Sequence, residues 1–153
     1  MSLSIPANTT AYLGGQPLTD GFYGPWYEDD YYPYEFGIPN PDDAKDFVAY
    51  GVGDEDEPIT FSNPVRLQFD GQAGKQVGWS DFDTYHPIDT LLGADDGALL
   101  GSLGVDAGYL NVGDDLVVWT DHMSYFVMCT PEPATLALLG LGGVGLVLRR
   151  KRR

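Results

Sequence analysis

From residue 59 onward, apolar residues recur at the spacing of strands. Residues 59–61, 65–69 (VRLQF) and 76–79 are short runs rich in β-branched and aromatic side chains, separated by Asn63-Pro64 and Asp70-Gly71, both turn formers. VRLQF alternates apolar with polar positions, the period of a half-buried strand. Residues 116–119 (LVVW) and 125–128 (YFVM) are separated by the pentapeptide 120–124 (TDHMS) and predict a hairpin. The stretch 91–115 is punctuated by glycine and fits either a short helix or strands with loops. The pattern as a whole predicts a mainly β body, a small β-sandwich or jelly-roll-like sheet pair, over residues 46–128.

Before this body the pattern is different. Residues 1–45 form an irregular segment rich in tyrosine, proline and acids, in which Pro25, Pro33, Pro39 and Pro41 with Gly21, Gly24 and Gly37 prevent a regular helix. Trp26, Tyr27, Tyr31 and Tyr32 are the centre of its aromatic run. Planar rings with an apolar face and a polar handle could stack on a sugar; the simpler reading is that they cover one edge of a small β core or belong to a partly disordered arm. At its end, residues 42–50 (DDAKDFVAY) predict a short helix, with acids at its start as a helix N-terminus prefers.

The last segment, residues 129–153, follows neither period. Pro131, Glu132 and Pro133 are followed by an uncharged run of 15 residues whose apolar members include Ala134, Leu136, Leu138, Leu139, Leu141, Val144, Leu146, Val147 and Leu148. Arg149, Arg150, Lys151, Arg152 and Arg153 then close the chain. As a helix the run measures about 22 Å, or about 27 Å if it starts at Pro131, against a hydrocarbon core of about 30 Å. Proline suits a first helical turn, and arginines that snorkel to the interface lengthen the effective span. A single C-terminal transmembrane helix is therefore expected. Five cations directly after it predict a cytoplasmic C-terminus with the body on the outer face.

Pro-Glu-Pro, a short helix of Leu, Gly and Ala, and a terminal basic cluster together resemble the PEP-CTERM sorting signal of Gram-negative-type bacteria, a tail also known as an ice-binding protein C-terminal domain. The resemblance covers 23 of the 153 residues. It implies an exosortase as partner, transient residence in the inner membrane, cleavage near Pro131–Pro133, and export to the cell surface or outside the cell in bacteria that make extracellular polysaccharide. Such a protein begins with a secretory leader. Residues 1–19 hold no Lys or Arg and no apolar core of 7 to 15 residues, so a leader upstream of Met1 is expected.

Charge narrows the partners further. Residues 1–130 carry 22 acids against Lys45, Arg66 and Lys75, a net charge of −19 that repels nucleic acid. The lone Cys129 makes no internal disulfide, so the fold depends on its core or on ions. Calcium is the ion that suits the Gly-rich acidic loops, with Asp95, Asp96, Asp114 and Asp115 as candidates beside Asp54 and Asp56, although no EF-hand pattern is present. Asp81, Asp83 and His86, with Asp121 and His122 elsewhere, could supply oxygen and nitrogen ligands to a transition metal if the two segments meet; His86, just before Pro87, reads more simply as a turn residue. No cofactor is otherwise implied. Gly140 to Gly145 fits G-x-G-x-x-G by chance, with no strand before it and no room for an acid some 20 residues on, and no G-x-S-x-G elbow exists.

These residues describe an exported surface or matrix protein without catalysis. A carbohydrate-binding or ice-binding module on the same export route is the alternative, with extracellular polysaccharide as partner. Ice binding asks for a flat, regular array of threonines, and the scattered Thr9, Thr10, Thr60, Thr84 and Thr120 provide none.

Overall fold

The computed structural model describes residues 1–18, 26–28, 45–51, 59–81 and 84–130. Its class is mainly β: eleven strands and one short helix among the described residues, arranged in two antiparallel sheets. The strands are β1 (Ser2–Ser4), β2 (Ala11–Leu13), β3 (Gln16–Pro17), β4 (Trp26–Glu28), β5 (Lys45–Gly51), β6 (Ile59–Phe69), β7 (Gln76–Ser80), β8 (Tyr85–Pro87), β9 (Ala107–Val112), β10 (Asp115–Met123) and β11 (Tyr125–Thr130), with α1 at Ala98–Leu103. One sheet runs β3-β2-β6-β10-β9, and β1 also pairs with β6. The other runs β4-β5-β11-β7-β8.

Alternation on β6 builds the shared core. Ile59, Phe61, Val65, Leu67 and Phe69 are buried while Thr60, Ser62 and Asn63 are exposed, so the apolar face of the strand is interrupted only at Asn63, beside the register shift. Leu116, Val118 and Met123 extend that face on β10. Val77, Phe126 and Met128 oppose it from the second sheet, where the Phe69 and Phe126 rings lie 6.2 Å apart.

Several elements differ from the sequence reading for physical reasons. The two runs around Asn63-Pro64 are one strand of 11 residues. Pro64 is accommodated because the β10–β6 register shifts between Thr120 and His122, at the same point, and a proline in a strand is tolerated at such an irregularity. The hairpin expected between 116–119 and 125–128 is not formed. β10 continues to Met123, Ser124 alone makes the corner, and β11 enters the opposite sheet. Both strands can do this because apolar side chains occupy both faces of each: Val117 beside Val118, and Val127 beside Met128, are fully buried.

Residues 45–50 of the expected helix belong instead to strand β5, which pairs with β11 from Gly51 to Lys45. Cross-strand pairing with an apolar partner outweighs a weak local helix preference. The N-terminal residues, expected to be irregular, add β1, β2 and β3 to the first sheet, with Leu3 opposite Leu67 and Tyr12 opposite Thr60. The open choice for 91–115 resolves into both options, α1 followed by β9. Among the described residues no helix is long and apolar enough to cross a membrane. The expected transmembrane run, with the triplet Pro131–Pro133 and the cluster Arg149–Arg153, lies outside them.

Candidate functional site

β11 is the centre of the second sheet and the strand that leads into the tail. Phe126 faces Tyr50 on one side and Trp79 on the other, and Met128 faces Val48 and Val77. Cys129 pairs with Gln76 and Thr130 with Lys45, the ladder to β5 slipping by a bulge between Met128 and Thr130. Tyr125, Phe126, Val127, Met128 and Cys129 are all buried, so this strand is covered on both faces up to the residue before Thr130. No linker separates the end of this strand from Pro131.

Residues 130–153 match the model of the PEP-CTERM protein-sorting motif. This chain ends in a PEP-CTERM sorting signal. The motif implies recognition by an exosortase and export of the protein it terminates. No curated protein and no solved structure matches the chain, so the body ahead of the sorting signal has to be read from its own geometry.

Three arrangements in the body carry chemistry-bearing side chains. The first covers the outer face of the six-stranded sheet. Arg66 on β6 donates from Nε to both oxygens of Asp95, at 2.9 and 3.0 Å, and its second terminal nitrogen lies 2.9 Å from Asp95 Oδ2. Trp119 Nε1 donates to the same carboxylate at 2.8 Å. The Arg66 hydrogen bond, with Trp119 assisting, holds the Asp95 carboxyl below the usual carboxylate range. Arg66 also donates to Gln68, and Gln68 Nε2 to Asp115 at 2.7 Å, so the five side chains of Trp119, Asp95, Arg66, Gln68 and Asp115 form one chain of hydrogen bonds.

This places the calcium candidates. Asp95 is engaged by Arg66 and Trp119, and Asp115 by Gln68 and the amide of Gly71. Asp96 accepts from Ala98 at the start of α1, and the Asp114 carbonyl accepts from Ala73. The segment that Asp95 anchors sits tightly on the sheet: a Cβ on Gly97 would come within 2.4 Å of the Trp119 ring, and one on Gly108 within 2.7 Å of Leu92.

The second arrangement gathers both histidines of the chain. The two segments proposed as mixed ligands do meet, at Trp79. His86 stacks on the Trp79 indole at 3.9 Å as its cross-strand neighbour, and His122 meets the same ring edge-on at 4.7 Å. Asp81 lies 3.6 Å from His86, and Asp121 3.1 Å from His122. His86 is the middle residue of β8 rather than part of a turn. Asp83 lies outside the described residues, and among the described ones no three His, Cys, Asp or Glu side chains are grouped to hold one ion.

The third is a groove along the open edge between the sheets, where β8 and β9 are the outermost strands. One cleft of about 310 Å³ is lined by Lys75, Tyr85, Asp89, Tyr109 and Asn111. A second, of about 360 Å³, shares Pro87, Ile88 and Asp89 with it and adds Trp79, Thr90 and Asp106. Burial pushes the Tyr85 phenol above its ordinary value, with Cys129 and Asp89 adding to the shift, so it stays a neutral hydrogen-bonding group at physiological pH. Its ring lies over Gly78, where a Cβ would approach it to 2.4 Å.

Of the aromatic candidates, Trp26 and Tyr27 belong to β4, opposite Gly51 and Tyr50, and Tyr31 and Tyr32 lie outside the described residues. Sequence reasoning missed Trp79, Tyr85 and Tyr109. The glycine before Trp79 was a signal for a close ring, but which ring depends on the β7–β8 register.

Proposed function

We propose that this protein is an exported bacterial surface or matrix protein whose body is non-catalytic, and whose tail holds it in the inner membrane until an exosortase cleaves near Pro131–Pro133. The tail spans as one short helix, with Arg149–Arg153 on the cytoplasmic side and the body outside. The observation that carries this reading is the match of residues 130–153 to the sorting motif. The positive-inside rule supports the orientation, and the missing nucleophile and cofactor motifs support the non-catalytic body.

The test is expression of the full chain, behind a secretory leader, in paired strains with and without an exosortase. Intact mass should show loss of the basic tail only where the enzyme is present. A tail retained in both strains would leave a permanent anchor instead.

A second reading, carbohydrate binding, is favoured by the edge groove, where Tyr85, Tyr109 and Trp79 line clefts that also hold Asp89, Asn111 and Asp106. Rings beside planar polar groups are what a sugar's apolar face and hydroxyls require. Retention on a glycan array that is lost in Tyr109→Ala would support it, and no retention of the wild type would end it.

A further inference from the structure

The edge groove continues past the two clefts described above. A third cleft, of about 520 Å³, is lined by Phe61 and Pro64 from β6 and by Ala98 and Gly101 from α1. It shares Gly104, Val105 and Asp106 with the second cleft, and the second shares Pro87, Ile88 and Asp89 with the first. The three therefore form one row, with Lys75 at one end and α1 at the other. A pocket of about 300–1,000 Å³ holds one small ligand. A row of three such spaces suits consecutive units of a longer, unbranched one.

The lining decides what kind of ligand that is. Trp79, Tyr85 and Tyr109 are half-buried, so each ring is anchored in the fold and still reaches the row. Trp79 is held further by His86, stacked on it at 3.9 Å. Asp89 and Asp106 are exposed and stand where neighbouring clefts join, and Asp121 lies in the third. Carboxylates accept hydrogen bonds from hydroxyls and repel acidic groups on a ligand. Lys75 is the one cation among the described residues that line the row, in a body whose 22 acids outnumber three cations. An extended peptide has less to hold, because peptides join a sheet through free backbone groups at its edge. The Tyr109 N–H donates to Thr90 at 2.9 Å and its carbonyl accepts from Leu92 at 2.7 Å, while Pro87 on β8 has no N–H.

We propose that this row of clefts binds a linear polysaccharide that carries no acidic groups, gripping several consecutive sugar rings along its length. The proposal rests on the carbohydrate-binding reading above. Rings in the first two clefts stack on sugar faces, Asp89 and Asp106 accept from hydroxyls at the two joins, and the third cleft takes the next unit beside α1. The same carboxylates turn away uronate-bearing, sulfated or phosphorylated glycans. Affinity therefore grows with oligosaccharide length until all three clefts are filled, and then levels off.

The experiment presents the full-length protein with an array of linear oligosaccharides, neutral and uronate-bearing, each series graded from monosaccharide to hexasaccharide. Retention should be confined to the neutral series and should rise several-fold from its shortest members to its longest. Gly101→Trp tests the α1 end, because Gly101 lines the third cleft and a Cβ there meets nothing within 4 Å. That variant should melt like the wild type, hold short oligosaccharides equally well and lose the gain from longer ones. Uronates retained as strongly as neutral sugars, retention independent of length, or long oligosaccharides unaffected by Gly101→Trp would each overturn the proposal while leaving carbohydrate binding standing. No retention of any glycan would end that reading, and this proposal with it.

Discussion

β10 and β11 are consecutive strands joined by the single residue Ser124, and each is buried on both faces, yet the two are covered in different ways. On the outer side of β10 lies the segment carrying α1, which buries Leu92 and Leu100 and adds polar contacts of Asp95 with Arg66 and Trp119, with Gly97 and Gly108 providing the close approach. On β11 the inner contact is a bare apolar one, Phe126 against Phe69, and on the neighbouring β7 the Tyr85 ring lies directly over Gly78. Ion pairs at a surface contribute little to stability and depend on pH and salt, whereas apolar burial contributes much and is far less sensitive to either. Both strands share the apolar core, and β10 carries on its outer face a polar contact that responds to pH and salt.

Phe126→Ala should destabilise the protein most. Truncating a fully buried phenylalanine at the centre of the second sheet should cost about 3–5 kcal/mol, read as a lower urea midpoint. A loss below about 1 kcal/mol would mean that β11 is not the anchor of its sheet. Next in size is Gly78→Ala, whose Cβ would meet the Tyr85 ring at 2.4 Å. Overpacking of this kind costs about 1–3 kcal/mol. Combining it with Tyr85→Ala should recover part of that loss, because the ring is the obstacle; a double variant whose losses simply add would place the strain elsewhere.

The sequence disclosed these features unevenly. The sorting signal could be read completely, since its three parts are contiguous and each has a local meaning. Strand class was also readable, because Val65 to Phe69 alternates within five residues. Partners were not. LVVW and YFVM look like the arms of a hairpin, and only the bulge at Thr120/His122 and the second apolar face of each strand send them to separate sheets. Residues 45–51 carry a mixed local preference that β11 decides. Asp95 looked like a cation ligand from its Gly-rich loop, and its actual partner Arg66 is 29 positions away. The convergence of His86 and His122 on Trp79 could be stated from the sequence only as a condition, because it depends on two sheets facing each other.

The smallest effect completes the comparison from the β10 side. In Asp95→Asn the carboxylate that Arg66 and Trp119 share is removed, while the segment around it is kept. The Asp95 side chain is 37% exposed, so solvent screening holds the loss to about 1 kcal/mol or less at pH 7. Its pH dependence has a definite sign. Arg66 lowers the carboxyl's pKa in the folded protein, so the contribution is complete above the unfolded value of about 3.9 and disappears as pH falls through the lower folded value. The gap in melting temperature between wild type and Asp95→Asn should therefore close below about pH 4, and should narrow in 1 M salt, where the screening length is about 3 Å. Comparing the two chains at each pH cancels the titration of the other acids in the body. The Phe126→Ala loss should stay constant under the same two changes. A gap at Asp95 that persisted at low pH and high salt would show that the Asp95 contact itself acts through packing, chiefly Trp119 on Gly97, and that the two strands differ less than their hydrogen bonds suggest.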